Sequence, residues 1–86
     1  MASTDSAATG LIVRNPQILE GEPTIAGTRI SVRAVVLTHR YTPDVAGMLQ
    51  AHPMLSEAAI RAALSYYADH QQEIDRYIAE NEDELD

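Results

Sequence analysis

The residues of this chain that could do chemistry are few, and their spacing does not assemble a reaction centre. The three histidines, His39, His52 and His70, fall in three different segments, and no pair has the spacing of two ligands on one helix. The chain has no cysteine, which excludes a thiolate nucleophile, a thiolate metal site and a disulfide framework. We therefore expect no metal site, since a metal needs several deprotonated ligands brought together.

Nucleophilic catalysis would require a hydroxyl beside a base that an acid orients. Ser31, Thr42 and Ser56 each precede an apolar helical stretch, where Ser and Thr serve as N-caps. Gly21 and Gly27 lie six residues apart without the lysine that follows in a phosphate-binding loop. Paired carboxylates are frequent only near the end of the chain, where preorganised acid–base chemistry is not expected. We expect no catalytic residue and no cofactor, hence no enzyme.

The charges are distributed unevenly. The net charge is −7 and there is no lysine; residues 1–40 carry four arginines against three acids, whereas residues 41–86 carry ten acids against two arginines. Nonspecific binding to nucleic acid depends on neutralising phosphates, so this balance argues against it. The acidic half would suit a basic protein partner, although the acids could equally serve only to solvate a helix.

The arginines remain the candidates for contacts to DNA phosphates, particularly if a dimer doubles their number. For Arg29 an ion pair with Asp44 or Glu57 is a nearly equal alternative. The candidate DNA-binding residues are Arg14, Arg29, Arg33, Arg40 and Arg61.

The length of 86 residues predicts one small domain, for which a dimer or a partner is a natural source of extra stability. The composition is typical of a globular protein, and no apolar run approaches the roughly 20 residues that span a bilayer. Residues 1–10 resemble no signal peptide and are expected to form a disordered tail. We expect a cytoplasmic protein that binds no membrane.

The elements that must position any site begin with a short β-ribbon. Residues 11–15 are rich in branched side chains and stop at Asn15-Pro16, and a second strand is expected near 24–26. Gly21 and Gly27 are placed at the two chain reversals, where positive φ angles are needed. Two short strands are marginal in water, so the ribbon must pack on helices or pair across a dimer.

Three helices follow the ribbon. Each has an apolar period with a capping residue before it: 32–39 behind Ser31, 43–50 behind Thr42, and 56–79 behind Ser56. His52-Pro53 ends the short middle helix. The fold class expected from this order is mainly α, with three helices in a helix-turn-helix arrangement, a short N-terminal β-ribbon and a long C-terminal helix.

The third helix carries an apolar stripe with steps of four and three residues. It would be about 36 Å long, whereas helices of eight residues are about 12 Å long and cover only its first half. We therefore expect the stripe beyond Gln71 to be exposed in a monomer and covered by a second copy or another protein, unless the last turns fray. The candidate partner-binding residues are Gln71, Ile74, Arg76, Tyr77, Ile78 and Glu80.

Two ordered motifs resemble a known family. The run Gly21-Glu-Pro-Thr-Ile-Ala-Gly-Thr-Arg-Ile-Ser-Val32 is similar to the G-x-P-x-I-x-G-T-R-I-x-V signature of the family called domain of unknown function 433. The segment from His52 to Tyr66 is similar to that family's P-x-L-x-x-x-x-I-x-x-A-L-x-Y pattern. The resemblance implies a VapB-like antitoxin of a type II toxin–antitoxin pair, with a PIN-like ribonuclease toxin as partner.

The resemblance also implies a homeodomain-like helix-turn-helix domain with a short β-ribbon, and structural roles within it. Gly21, Gly27 and the pair Thr28-Arg29 would shape the ribbon, and the helical core would include Pro53, Leu55, Ile60 and Leu64. The chain departs from the family pattern at Arg40-Tyr41, where a glycine often stands between the first two helices. The family pattern supplies no catalytic residue.

Together these observations predict a noncatalytic antitoxin that forms a homodimer or hetero-oligomer, with operator DNA as a further candidate ligand. Residues 11–70 would form the ribbon and helix-turn-helix domain, and residues 71–86 a partner-binding helix extension with an acidic tail. The alternatives are a DNA-binding transcriptional regulator without a toxin and a noncatalytic dimeric adaptor.

Overall fold

A ribbon followed by helices makes up the described part of the chain. The computed structural model describes the backbone of residues 11–85 and the side chains of residues 11–81, so the predicted tail at 1–10 lies outside the described residues. The elements are β1 (Ile12–Arg14), β2 (Pro23–Ile25), α1 (Val32–Tyr41), α2 (Val45–Ala51), α3 (Glu57–Asp69) and α4 (Gln71–Leu85). This order confirms the mainly α class with a short N-terminal ribbon. Within the described residues, no helix is both long and apolar enough to cross a membrane.

The ribbon is an antiparallel pair in which Ile12 lies opposite Ile25 and Arg14 opposite Pro23. Gly21 (φ 90°) and Gly27 (φ 78°) adopt the left-handed conformations predicted for the two reversals. The ribbon packs on α1 and α3, which supplies the apolar support that two short strands require.

Two of the three predicted N-caps are confirmed. The Ser31 Oγ accepts a hydrogen bond from the Ala34 amide at 2.9 Å, and the Ser56 Oγ accepts one from the Ala59 amide at 3.1 Å. The prediction for Thr42 is wrong, because α2 begins at Val45 and the Asp44 carboxylate accepts from the Gly47 amide at 3.0 Å. A carboxylate at this position caps the amides and also interacts favourably with the positive end of the helix dipole.

The core lies where the ribbon and all four helices meet around α1. Val32 and Val35 on α1 are completely buried, as are Met48 on α2 and Ile60 on α3. The predicted core positions Leu55 and Ile60 are buried and Leu64 is partly buried, whereas Pro53 is exposed. The buried apolar residues are Ile12, Ile25, Val32, Val35, Val36, Met48, Leu55, Ala59, Ile60, Ala63, Ile74 and Ile78.

The predicted continuous helix over 56–79 is wrong, because the chain breaks at His70 into α3 and α4. His70 has φ −137° and ψ 39°, and its amide donates to the Tyr67 carbonyl at 3.0 Å. Its carbonyl then accepts from the Ile74 amide at 3.0 Å, which starts α4 in a new direction. α4 also continues past the predicted end at Ala79, to Leu85.

The change of direction folds the apolar stripe back onto the rest of the chain. Ile74 is 0% exposed and Ile78 is 5% exposed, and α4 packs against α1. Burying one such side chain contributes about 1.5–3 kcal/mol, whereas a backbone hydrogen bond lost at a break costs about 0.5–1.5 kcal/mol. Burial of two isoleucines therefore outweighs the interruption of the helix, and the predicted exposed stripe is absent from the described fold.

The burial of α4 predicts that Ile74→Ala destabilises the isolated chain by about 2–5 kcal/mol, as expected for truncating a buried isoleucine. Urea denaturation followed by circular dichroism would measure this loss. Gln72→Ala, on the exposed side of the same helix, is the control and should change stability by less than about 0.5 kcal/mol. Equal stability of the two variants would contradict the docking of α4.

Candidate partner-binding site

An open groove of about 340 Å³ separates the turn at Leu19–Gly21 from α4. Its volume is at the small end of the range of ligand pockets, which begins at about 300 Å³. The residues that line it are Leu19, Glu20, Glu22, Arg33, Tyr77, Glu80 and Asn81.

The floor of the groove is an ion pair between Glu22, which directly precedes β2, and Arg33 on α1. The Arg33 Nε donates to the Glu22 carboxylate at 2.7 Å and the Arg33 Nη2 donates at 3.1 Å, so the pair is bidentate. Glu22 is buried, and a buried carboxylate requires such a partner. The two charges of this pair neutralise each other. The net charge of the groove is therefore set by the residues of its rim.

The rim of the groove is acidic on both sides. Glu20 lies on the turn and Glu80 on α4, and the lining residues carry three carboxylates against the one guanidinium of Arg33, a balance of −2. The Glu80 carboxylate lies 3.9 Å from the Arg76 Nε, in an exposed pair of the kind that contributes at most about 1 kcal/mol. Tyr77 and the 41% exposed Leu19 add an aromatic and an apolar surface.

The turn that carries this rim is strained. Leu19 (φ 51°) and Glu20 (φ 57°) are consecutive non-glycine residues in the left-handed region. Each such residue costs about 1–2 kcal/mol relative to a right-handed conformation. In this conformation Leu19 is 41% exposed and Glu20 lines the groove. Residues with strained backbones of this kind are frequent at functional sites.

A second cluster of polar residues connects the end of β1 to α4. The Arg14 guanidinium binds both oxygens of Glu73, at 2.6 and 2.8 Å, and also donates to the Tyr66 hydroxyl. The hydrogen bond to Glu73 raises the pKa of Arg14, and the hydrogen bond from Arg14 lowers the pKa of Glu73 below its ordinary value. Burial raises the pKa of Tyr66, so this phenol is neutral at physiological pH. The cluster therefore holds the start of α4 against the ribbon.

The break between α3 and α4 is stabilised by the same cluster. The rings of Tyr66 and His70 stack with centroids 3.9 Å apart, and the His70 Nδ1 lies 2.9 Å from the Tyr66 carbonyl oxygen. The Tyr67 hydroxyl donates to Asp75 at 2.8 Å, across the break. These contacts replace the backbone hydrogen bonds that a continuous helix would have made.

Most of the predicted DNA-binding arginines bind carboxylates of the chain itself. Besides Arg14 and Arg33, Arg40 lies 3.7 Å from Asp75 and Arg61 lies 2.6 Å from Glu57. Arg29 is exposed and makes no ion pair with the described residues, so the proposed pairs with Asp44 and Glu57 are not formed. Contact of these arginines with DNA stays a prediction, and for four of them it would compete with an existing ion pair.

The predicted partner-binding residues fall into two groups. Gln71, Arg76 and Glu80 are exposed on α4 and Tyr77 is half-buried beside the groove. Ile74 and Ile78 belong to the core of the chain, so in this fold they are not available to a partner. The premise that these two isoleucines form an uncovered seam is wrong.

The histidines do not converge in the fold. His52 bonds the Thr38 hydroxyl at 2.8 Å and so ties the α2–α3 connection to α1, while His70 lies at the start of α4. Within residues 11–81, no three side chains of the metal-ligating types come together.

Sequence reasoning missed four residues of the groove: Leu19, Glu20, Glu22 and Asn81. The run Leu-Glu-Gly at 19–21 has the sequence of an ordinary turn, because glycine is the only one of the three residue types for which a positive φ is expected. Asn81 lies beyond the predicted end of its helix, where its side chain donates to the Tyr77 carbonyl at 2.8 Å. The turn and Asn81 come together only because the helix breaks at His70, and the sequence pattern does not mark that break.

Comparison with known proteins identifies the family. Residues 12–67, from β1 into α3, match the family model described as "Protein of unknown function (DUF433)". The chain belongs to the DUF433 family. A crystal structure of a DUF433 member protein from Anabaena variabilis has the same fold, with a TM-score of 0.75 at 27% sequence identity over 90% of this chain and 76% of that chain. No curated protein matches. α4 lies outside the segment that defines the family, but the structural likeness covers most of the chain.

The Arg14–Glu73 pair predicts a pH-dependent contribution to stability. Because folding lowers the pKa of Glu73, the contribution is fully present above the unfolded pKa of about 4.3 and is lost as the pH falls through the lower folded value. Glu73→Gln should therefore be less stable than the natural chain at pH 7, and the difference should shrink below pH 4. Urea denaturation between pH 7 and pH 3 would measure it. Glu57→Gln, in an exposed pair, should show only a small difference throughout; a pH-independent loss for Glu73→Gln would contradict the assignment.

The floor of the groove provides a second stability prediction. Arg33→Met leaves the buried Glu22 carboxylate without a partner and should destabilise the chain by about 3–5 kcal/mol, whereas Arg33→Met with Glu22→Gln should recover part of that loss. Thermal unfolding of the single and double variants would test this. The control Arg61→Met, at an exposed pair, should cost no more than about 1 kcal/mol. No recovery in the double variant would show that the arginine acts through packing alone.

Proposed function

We propose that this DUF433 chain is a noncatalytic antitoxin that binds and neutralises a basic, PIN-like ribonuclease toxin. The observation that carries the proposal is the division of charge in the fold. The arginines other than Arg29 are engaged by carboxylates of the chain, while the groove between the turn and α4 retains an acidic rim. A surface of this kind suits a basic protein better than a polyanion.

A PIN-like nuclease is a suitable partner on chemical grounds. A protein that binds RNA neutralises phosphates with cations, so the rim of its active site should be positive. The accessible residues of α4 that would meet it are Gln71, Arg76, Tyr77 and Glu80. Arg76 would pair with the acidic residues that such an enzyme uses to hold its metal. The two sequence motifs resemble the DUF433 family, and the VapB-like antitoxin role that this resemblance implies is consistent with the same partner.

The second candidate is a DNA-binding regulator with a helix-turn-helix. α2, the connection at 52–56 and α3 have the order of such a unit, in which the last helix would lie in the major groove. One observation favours it: Arg29 is exposed and makes no ion pair within the described residues. The solvent face of α3 begins with Glu57, Ala58 and Arg61, and the Arg61 guanidinium is paired with the Glu57 carboxylate. This face is poorly suited to reading bases, so we rank DNA binding second.

Variants of two similarly placed arginines would distinguish the antitoxin from the DNA-binding regulator. Arg76 on α4 and Arg61 on α3 each have a side chain that is 65% exposed and each pair with a glutamate four residues away. Charge reversal should therefore disturb the two helices to a similar extent, apart from the loss of the exposed contact of Arg76 with the Tyr77 ring, 5.7 Å from its centroid. If the chain is an antitoxin, Arg76→Glu should weaken binding to the co-expressed toxin at least tenfold, and Arg61→Glu should leave it unchanged.

The experiment is co-expression with a PIN-like ribonuclease encoded next to this chain, followed by size-exclusion chromatography and an assay of cell growth. A DNA-binding regulator would instead lose operator binding on Arg61→Glu or Arg29→Ala, with a steep dependence on salt. Self-association without toxin or DNA binding would indicate the dimeric adaptor. Truncation after Gln71 is unsuitable as a test, because it removes Ile74 and Ile78 from the core.

A further inference from the structure

The groove beside α4 has the chemistry of a site for one positively charged side chain. Its two rim carboxylates, Glu20 and Glu80, come from different elements and face a shared space of about 340 Å³. The buried pair Arg33–Glu22 closes the floor without adding net charge. A ligand that enters therefore meets two carboxylates and no uncompensated cation among the lining residues.

The remaining walls suit the guanidinium of arginine in particular. A guanidinium is planar, has donors on several edges and stacks on aromatic rings, whereas an ammonium is a compact point charge. Tyr77 offers an aromatic ring, and Leu19, which is partly in solvent, offers an apolar surface for the methylene stem. Asn81 donates its amide to the Tyr77 carbonyl, which leaves its side-chain oxygen able to accept a hydrogen bond.

The turn at Leu19–Gly21 forms the wall of the groove that faces α4. Leu19 and Glu20 hold left-handed conformations that glycine or asparagine would adopt at lower cost. Stability alone would be better served by another residue at position 20. Glu20 is explained if its carboxylate is needed where the turn places it, at the mouth of the groove.

We propose that this groove receives an arginine side chain of the partner protein, with Glu20 and Glu80 pairing the guanidinium between the turn and α4. The occupant is basic because the rim is acidic, and it is a single side chain because the groove is small. Since the arginine belongs to the partner, the assignment rests on the proposed function. The chain's own Arg76 now contacts both groups: its Nε lies 3.9 Å from the Glu80 carboxylate, and its guanidinium lies 5.7 Å from the centre of the Tyr77 ring. Both contacts are exposed and weak, so the partner's arginine would take the place of Arg76.

The first test uses a small probe and needs no partner. Nα-acetyl-arginine amide is titrated into the isotope-labelled chain, and amide shifts are followed by NMR. We expect saturable shifts at Leu19, Glu20, Tyr77 and Asn81, with a dissociation constant in the millimolar range. The citrulline analogue, which has the same shape without the charge, should produce none. Equal shifts with citrulline, or shifts confined to residues 82–86, would overturn the assignment.

Two double variants test whether the carboxylates of Glu20 and Glu80 themselves bind the arginine probe. Glu20→Asn with Glu80→Gln removes both charges, and asparagine tolerates the left-handed backbone at position 20. This double variant should bind the arginine probe at least fivefold more weakly. Glu57→Gln with Asp69→Asn, two exposed carboxylates on α3, makes the same change in net charge and should leave the affinity unchanged. Equal losses in both double variants would show that only overall charge matters and would overturn the proposal.

A separate readout excludes simple misfolding. Glu20→Gly should raise the midpoint of urea unfolding, because it relieves the strained turn, while it lowers the affinity for the probe. A variant that is more stable and binds less well cannot be explained by loss of structure. Unchanged probe affinity in Glu20→Gly would overturn the role of Glu20.

The last arm distinguishes this inference from the proposed function. The double variant at Glu20 and Glu80 should bind the toxin at least tenfold more weakly than the natural chain. If it binds the toxin with unchanged affinity, the groove is not the docking site, although the antitoxin function stands. If the groove binds arginine but no toxin is captured by the natural chain, the proposed function fails and the assignment to a partner's side chain fails with it.

Discussion

The burial of Ile74 and Ile78, on the face of α4 that packs against α1, is the interaction on which the rest of this fold depends. It requires the helix to break at His70, and that break lets Tyr77, Glu80 and Asn81 line a groove with the turn at 19–21. The contacts of Arg14 with Glu73 and Tyr66 hold the start of α4 against the ribbon. The groove and the closed core are therefore two results of one packing event, and neither would exist if α3 and α4 formed a single straight helix.

The elements that local chemistry determines could be predicted from the sequence. Ser31 and Ser56 cap helices because a hydroxyl accepts from a nearby amide, and Gly21 and Gly27 turn the chain because they tolerate positive φ angles. The apolar spacing of α4 was also correct as a pattern. The residues that cover the apolar face of α4 could not be predicted in the same way, because periodicity identifies an apolar face but not the surface that packs against it. No glycine or proline marks the break at His70; tertiary burial selects it.

The arginines illustrate the same limit. Their types and positions suggested phosphate contacts, yet the fold brings carboxylates from distant parts of the sequence to Arg14, Arg33 and Arg40. Such pairs depend on long-range packing, so composition alone could not reveal them. The charge that remains for recognition is consequently more acidic in character than the count of arginines in the first half of the chain implied. This redistribution is the reason for proposing a basic protein rather than DNA as the partner.

The placement of the groove, with one wall on the turn and the other on α4, couples recognition to local unfolding. Detachment of α4 would dissolve the groove and uncover two isoleucines in the same event. Any ligand that spans both walls must then add its binding free energy to the docking of that helix. Amide exchange and protease cleavage along α4 would slow when the groove is occupied, so the lifetime of the chain would follow the supply of its ligand.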